Sequence, residues 1–247
     1  MGKAIVIIDF NNVFRGSIMN ITQEQYKNLF TNVIEEILQK NENDISEILV
    51  RLYGGWYQNH NLTNVASDVQ TKVQQIDLFP IIKDKKKYDG CIVVVSTQYR
   101  LSEVWYNTLQ EKAGIPRLRI DEEHQDTGCE QRKEICPVHI LQKFLQKKAT
   151  ICRNPGCKTE HSKVFYRREQ KMVDTMMTCD IITYSAEDDV AALYIVSDDI
   201  DLFPGIAISK VKNNSIDMNL FVRTTQTKLA YQQILSTYNI NIKSLEL

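Results

Sequence analysis

The stretch Ala4-Ile5-Val6-Ile7-Ile8-Asp9-Phe10-Asn11-Asn12 decides the fold. Five apolar residues follow one another without a polar break, and four of them are β-branched. Alternation would mark a strand with one wet face, whereas an unbroken run marks a strand buried on both faces. Such a strand belongs inside a parallel sheet with helices on either side. The run stops on an acid. Polar groups at that end stand where open parallel sheets bind their ligands, beyond the carboxyl ends of the strands.

The rest of the chain repeats the theme. Thr22 and, three residues on, Gln25 form a capping box. Tyr26, Leu29, Phe30, Val33, Ile34, Ile37 and Leu38 then recur at three- and four-residue steps, the stripe of an amphipathic helix. Further strands are expected over 47–53, halted by Gly54-Gly55, and over 91–96, 118–120, 192–197 and 216–222. Helices are expected over 64–75, 104–112, 138–147, 169–184 and 226–236. Strands alternating with helices predict an α/β fold, a parallel sheet flanked by helices. A single domain spans 1–247, interrupted by a polar Cys/His-rich insertion at 121–165.

Composition narrows the class. Of 247 residues, 43% are hydrophobic and 25% charged, which excludes a disordered or collagen-like chain. No apolar run reaches the ~18 residues of a membrane helix. The N-terminal apolar run is too short for a signal peptide, so a cytoplasmic protein with no membrane partner is expected. In a reducing compartment, six cysteines point to metal or catalytic use rather than disulfides. With a net charge of −1, any basic surface must be local.

The strand ends carry the chemistry. The first ends in Asp9-Phe10-Asn11-Asn12, and the strand over 192–197 ends in Ser197-Asp198-Asp199-Ile200-Asp201. Singly, each Asp reads as a cap or turn residue. Gathered at one crevice they repel, and a bound divalent cation such as Mg²⁺ or Mn²⁺ accounts for that cost. A further motif, Lys171-Met172-Val173-Asp174, opens a helix. The helix dipole alone would favour Asp174 there, while Lys171 is placed to contact a phosphate or a carboxylate. Asp180, six residues on, points about 120° away from Asp174 and reads as a supporting or structural group.

Together these segments resemble the NYN family, a branch of the PIN-like nucleases. The likeness rests on Asp9-x-Asn11-Asn12, on Lys171-x-Val173-Asp174 with Asp180, and on Ser197-Asp198-Asp199-x-Asp201-x-Phe203-Pro204. It covers Lys3 to about Asn241 apart from the insertion. Asp198, Ile200 and Leu202 depart from it, because the family has a small residue, a small polar residue and an aromatic there. The resemblance implies a PIN-like parallel sheet with an acidic metal pocket, and metal-dependent cleavage of single-stranded or structured RNA. It implies Asp9, Asp174, Asp199 and Asp201 as the acidic set, Asn12 as a polar helper and Ser197 as the residue that orients the acidic loop. Within that set, Asp9 and Asp199 are expected as inner metal ligands, with Asp174 and Asp201 holding a coordinated water or a second metal. The expected function is a metal-dependent endoribonuclease, and the alternative is a catalytically silent RNA-binding or regulatory protein on the same fold. A phosphotransferase with Asp9 as nucleophile would want a second Asp at Asn11. No G-x-G-x-x-G supports dinucleotide binding.

The insertion gathers His124, Cys129, Cys136, His139, Cys152, Cys157 and His161. Cys152 and Cys157 have C-x₄-C spacing around Pro155-Gly156, and Cys129 and Cys136 form a looser pair. A structural Zn²⁺ held by Cys129, Cys136, Cys152 and Cys157 is expected, with His139 or His161 able to replace Cys129. The competing reading is free thiols in a core, which is how Cys91 and Cys179 are read. Lys163, Arg167, Arg168 and Lys171, with Lys158, Phe165 and Tyr166 among them, suit phosphates and unstacked bases and form the expected substrate-binding set. Lys85-Lys86-Lys87 reads as an exposed loop.

Overall fold

The computed structural model describes residues 2–14, 21–40, 45–94, 107–113, 151, 155–160, 166–235 and 237–245. They divide into two compact units, 1–109 with 170–247 and, separately, 110–169.

The first unit is built on strand β1 (Gly2–Asp9), whose residues Ala4 to Ile8 are fully buried. On one side β1 pairs in parallel with β2 (Ile45–Tyr53), and β2 with β6 (Lys86–Val94). On the other side lie β9 (Val190–Val196), β10 (Asp217–Val222) and β11 (Asn241–Ser244), again parallel. A short antiparallel strand, β5 (Ile81–Lys83), closes the edge beside β6. A small hairpin, β3 (Tyr57–Gln58) and β4 (Asn61–Leu62), follows β2.

The period of two in β1 sorts its side chains into two cores. Ala4, Val6 and Ile8 pack with helices α2 (Gln23–Lys40) and α3 (Asn64–Gln74). Ile5 and Ile7 pack with α4 (Val173–Ser185), α5 (Phe203–Lys212) and α6 (Thr225–Leu235). Both faces being dry, an alternating polar residue anywhere in 4–8 would be buried without a partner, and the unbroken apolar run follows. The capping box forms at the start of α2: Thr22 N–H donates to Gln25 Oε1 at 2.8 Å, and Gln25 N–H to Thr22 Oγ1 at 3.2 Å. α5 lies so close to α4 that a Cβ on Gly205 would stand 2.7 Å from Thr178 Cγ2. No helix among the described residues is long and apolar enough to cross a membrane.

Several expected elements change. Where a helix was expected over 104–112, the described part contains strand β7 (Leu109–Ala113), paired with β8 (Tyr166–Gln170). The partner lies more than fifty residues away in the chain, so no local periodicity reports it. The helix expected over 169–184 starts only at Val173, because Glu169 and Gln170 belong to β8 and Met172 takes a left-handed conformation, φ +67°. Lys85-Lys86-Lys87 is a β5–β6 hairpin rather than a loop, turned by Asp84 and Lys85 at positive φ. Cys91 and Cys179 are exposed rather than core. Cys91 alternates with Ile92, which packs toward α2 and α3, and its own face of β6 has no covering helix among the described residues. The expected elements at 118–120 and 138–147 lie outside the described residues.

In the second unit, opposite charges meet across and along the β7–β8 ribbon. Arg168 Nε bonds Glu111 at 2.8 Å, Lys112 Nζ lies 3.0 Å from Glu169, and Arg167 Nε lies 2.6 Å from Glu169.

Candidate metal centre

The strands of the large sheet lie in the order β11-β10-β9-β1-β2-β6-β5. From β1 the chain winds outward through β2 to β6, then returns and winds the other way through β9, β10 and β11. Neighbouring β1 and β9 therefore send their connections to opposite faces, and a crevice opens at their carboxyl ends. Asp9 is the last residue of β1, and Ser197, Asp198 and Asp199 follow β9 directly. Helix α4 packs against both strands and brings Asp174 in its first turn. One carboxylate oxygen from each of Asp9, Asp174 and Asp199 lies within 4.8 Å of the other two.

Asp9 is buried and heavily engaged. It caps the short helical turn α1 (Phe10–Val13), Oδ1 accepting from Asn12 N–H at 3.2 Å. Oδ2 accepts from the Asn12 side-chain amide and from Ser197 Oγ, the latter at 3.1 Å. Burial pushes the Asp9 carboxyl above its usual value, the Asn12 and Ser197 bonds pull it back, and Asp199 pushes it up further. The cap reading and the site reading of Asp9 are thus both true of one side chain.

Ser197 links two acids: its hydroxyl donates to Asp9 and accepts Asp199 N–H at 3.0 Å. Asp199 Oδ1 in turn accepts Asp201 N–H at 2.9 Å and caps the 3-10 turn Ile200–Leu202. The Tyr231 hydroxyl on α6 donates to the Asp199 carbonyl. The loop that carries Asp199 is held on three sides before any ligand arrives. Tyr231 escapes a reading of the sequence because it sits in the apolar stripe of the last helix and looks like core.

Asp174 is partly exposed and is the most perturbed member of the trio. Burial, then the charges of Asp199, Asp9 and Asp201, raise its carboxyl to about 6. Asp201 is exposed and stands outside the trio, near enough to raise Asp174. Asp198 turns away: its Oδ1 accepts the backbone N–H of Arg223 at 2.7 Å and of Thr224 at 3.4 Å, tying the loop to the end of β10. The Arg223 guanidinium reaches back to the carbonyls of Asn12, at 3.1 Å, and Val13. Asp180 is buried one layer deeper, against Arg51 and Tyr53.

The expected substrate-binding residues fall on both units. Lys171 precedes α4, and its backbone N–H donates to the Thr108 carbonyl at 3.0 Å. Arg167 and Arg168 stand on β8 in the second unit, in ion pairs with Glu169 and Glu111. Lys163 lies outside the described residues, as do Cys129, Cys136 and Cys152. Cys157 is described; its thiol donates to Thr159 Oγ1 at 3.4 Å.

Three acids from three separate elements, converging on one point, form an all-oxygen donor set. That set suits a hard divalent cation and is a poor match for a soft one. Comparison with protein-family models, with curated proteins and with solved structures finds no match to this chain.

Proposed function

We propose that the protein is a metal-dependent endoribonuclease that hydrolyses RNA phosphodiester bonds at the Asp9–Asp174–Asp199 crevice. One observation carries the reading: three carboxylates from β1, α4 and the β9 loop converge within 4.8 Å at the switch point of the sheet. Without a cation the crowd is left with uncompensated repulsion, which adds to burial in raising the Asp174 carboxyl. The motif resemblance supplies the choice of RNA as substrate.

Asp9, Asp174 and Asp199 would hold Mg²⁺ or Mn²⁺, with Asp201 at the rim. The cation supplies Lewis-acid polarisation of the phosphoryl group and a more acidic water. The chain's own groups supply the rest. The Ser197 and Asn12 bonds hold the Asp9 carboxylate in place and oppose the upward pull of burial on it. The Ser197 and Tyr231 bonds hold Asp199 at a set height above β9. Lys171, just before α4, would offer a cation to a phosphate. A structural Zn²⁺ on Cys129, Cys136, Cys152 and Cys157 is proposed on their spacing alone, and elemental analysis of the purified protein checks it.

The decisive test is a labelled mixed RNA pool incubated with Mg²⁺, Mn²⁺ or EDTA, comparing wild type with Asp199→Asn. Metal-dependent products that disappear in the variant are the expected result. RNA retained by the wild type without any cleavage would replace this reading with that of a silent RNA-binding protein.

A further inference from the structure

Beneath the crevice lies a second polar cluster, made of Arg51 and Tyr53 on β2 and Asp180 and Tyr184 on α4. We propose that it is a positioning device, which sets helix α4 against the sheet and so places Asp174 relative to Asp9. The proposal rests on the metal-site reading above and deepens it.

All four side chains are buried. The guanidinium of Arg51 grips two residues one helical turn apart: Nη2 lies 3.3 Å from Asp180 Oδ2, and Nη1 donates to the Tyr184 hydroxyl at 2.5 Å. It also lies over both rings, 5.5 Å from the Tyr53 centroid and 5.6 Å from that of Tyr184. The Tyr53 hydroxyl donates to the same Asp180 oxygen. Surrounding them are Ile5, Ile7, Met177 and Ile181, an apolar layer.

Stability is a poor reason for such a cluster. Two charges taken out of water contribute no more than well-packed apolar residues of the same volume, and frequently less. What they add is direction, since a planar fork with two acceptors on one helix tolerates neither a slide nor a roll. Apolar packing alone is far less selective about either motion. The placement of the fork makes this useful. Tyr53 is the register partner of Asp9 in the β1–β2 pair, so both side chains leave the same face of the sheet. Asp180 is six residues along α4 from Asp174. A slide of α4 by one residue, ~1.5 Å, would break the Arg51 and Tyr53 bonds and move Asp174 by as much. The residue at the N-cap of the helix, Met172, makes no side-chain capping bond.

The test replaces the polar cluster as a whole, so that no buried charge is orphaned: Arg51→Met, Tyr53→Phe, Asp180→Leu and Tyr184→Phe together. Its readouts are the thermal midpoint, Mn²⁺ affinity by calorimetry, and a crystal structure of the metal-free protein. A fold at least as stable as wild type, with Mn²⁺ affinity down tenfold or more and Asp174 displaced from Asp9, is expected. Wild-type affinity within twofold in a folded variant would overturn the proposal. Should the quadruple variant not fold, Arg51→Lys decides. It keeps the charge but loses the fork, and three- to tenfold weaker Mn²⁺ binding is expected, with unchanged affinity overturning the idea. If the wild type itself binds no Mn²⁺, the metal reading fails. The Asp9–Asp174 separation in the two metal-free crystals then decides the positioning claim: an unchanged separation sinks it, and an increase beyond 1 Å sustains it.

Discussion

At the scale of single residues, the site is a balance between repulsion and the bonds that resist it. Asp9 has three donors and Asp199 is braced by Ser197 and Tyr231, but Asp174 is raised by burial and then by its neighbours' charges. Its carboxyl titrates at about 6 in the folded protein against 3.8 ordinarily. Between those values the folded chain binds a proton that the unfolded chain has released, so stability falls as pH rises through the window from about 4 to 6. Raised carboxyls at Asp9 and Asp180 act in the same sense. In EDTA the thermal midpoint is therefore expected to be higher at pH 5 than at pH 7.5, as calorimetry at the two pH values would show. Asp174→Asn removes one charge from the trio. It is expected to raise the midpoint at pH 7.5 without metal and to lose most Mn²⁺ affinity. A variant that is less stable in EDTA yet binds Mn²⁺ normally would contradict the assignment. Metal binding itself should weaken below about pH 6, where a proton competes for Asp174, a trend titration calorimetry would follow.

Elements differ in how openly the sequence displays them. β1 and α2 are legible because their determinants are local: an unbroken apolar run in one, and in the other a capping box followed by a stripe. β7 and β8 are not, since Leu109–Ala113 becomes a strand only by meeting Tyr166–Gln170. The start of α4 is also hidden. Apolar and polar residues run through 169–184 in a helix-compatible order, yet the chain breaks at Met172, a non-glycine residue with positive φ. Methionine there is strained, and glycine would relieve the strain but give the unfolded chain more entropy to lose on folding. Met172→Gly is accordingly expected to stabilise the protein by about 0.5–1 kcal/mol in denaturant titrations, net of the two effects. Destabilisation by a similar amount would mean that the Met172 side chain holds the turn by packing.

For the whole molecule, the order of strands is the fact that creates the site. Winding outward from β1 in both directions puts the first acid in the chain, Asp9, beside the loop after β9, nearly two hundred residues later. A cation that binds only the folded trio must stabilise the entire fold. At a hundredfold excess of Mn²⁺ over its Kd, the gain is ~2.7 kcal/mol. For a chain of this size that is roughly 5–10 °C in thermal midpoint. A thermal scan with millimolar Mn²⁺ that shows no shift, at a pH where all three acids are ionised, would count against the trio as a metal site.

What the sequence determined by itself is the parallel α/β architecture and the presence of acids at the ends of β1 and β9. Both follow from side-chain periodicity and from where an apolar run stops, properties carried by neighbouring residues. Only the tertiary structure decided which acids meet. Asp174 joins Asp9 and Asp199 because α4 crosses the switch point. Asp198 is spent on the backbone of Arg223 and Thr224, Asp201 stays at the rim, and Asp180 is taken up by Arg51 and Tyr53. Five of these acids crowd two short motifs, 174–180 and 198–201, and look alike in one dimension. Their fates separate because strand order and helix placement come from contacts between residues far apart in the chain, which no local pattern encodes.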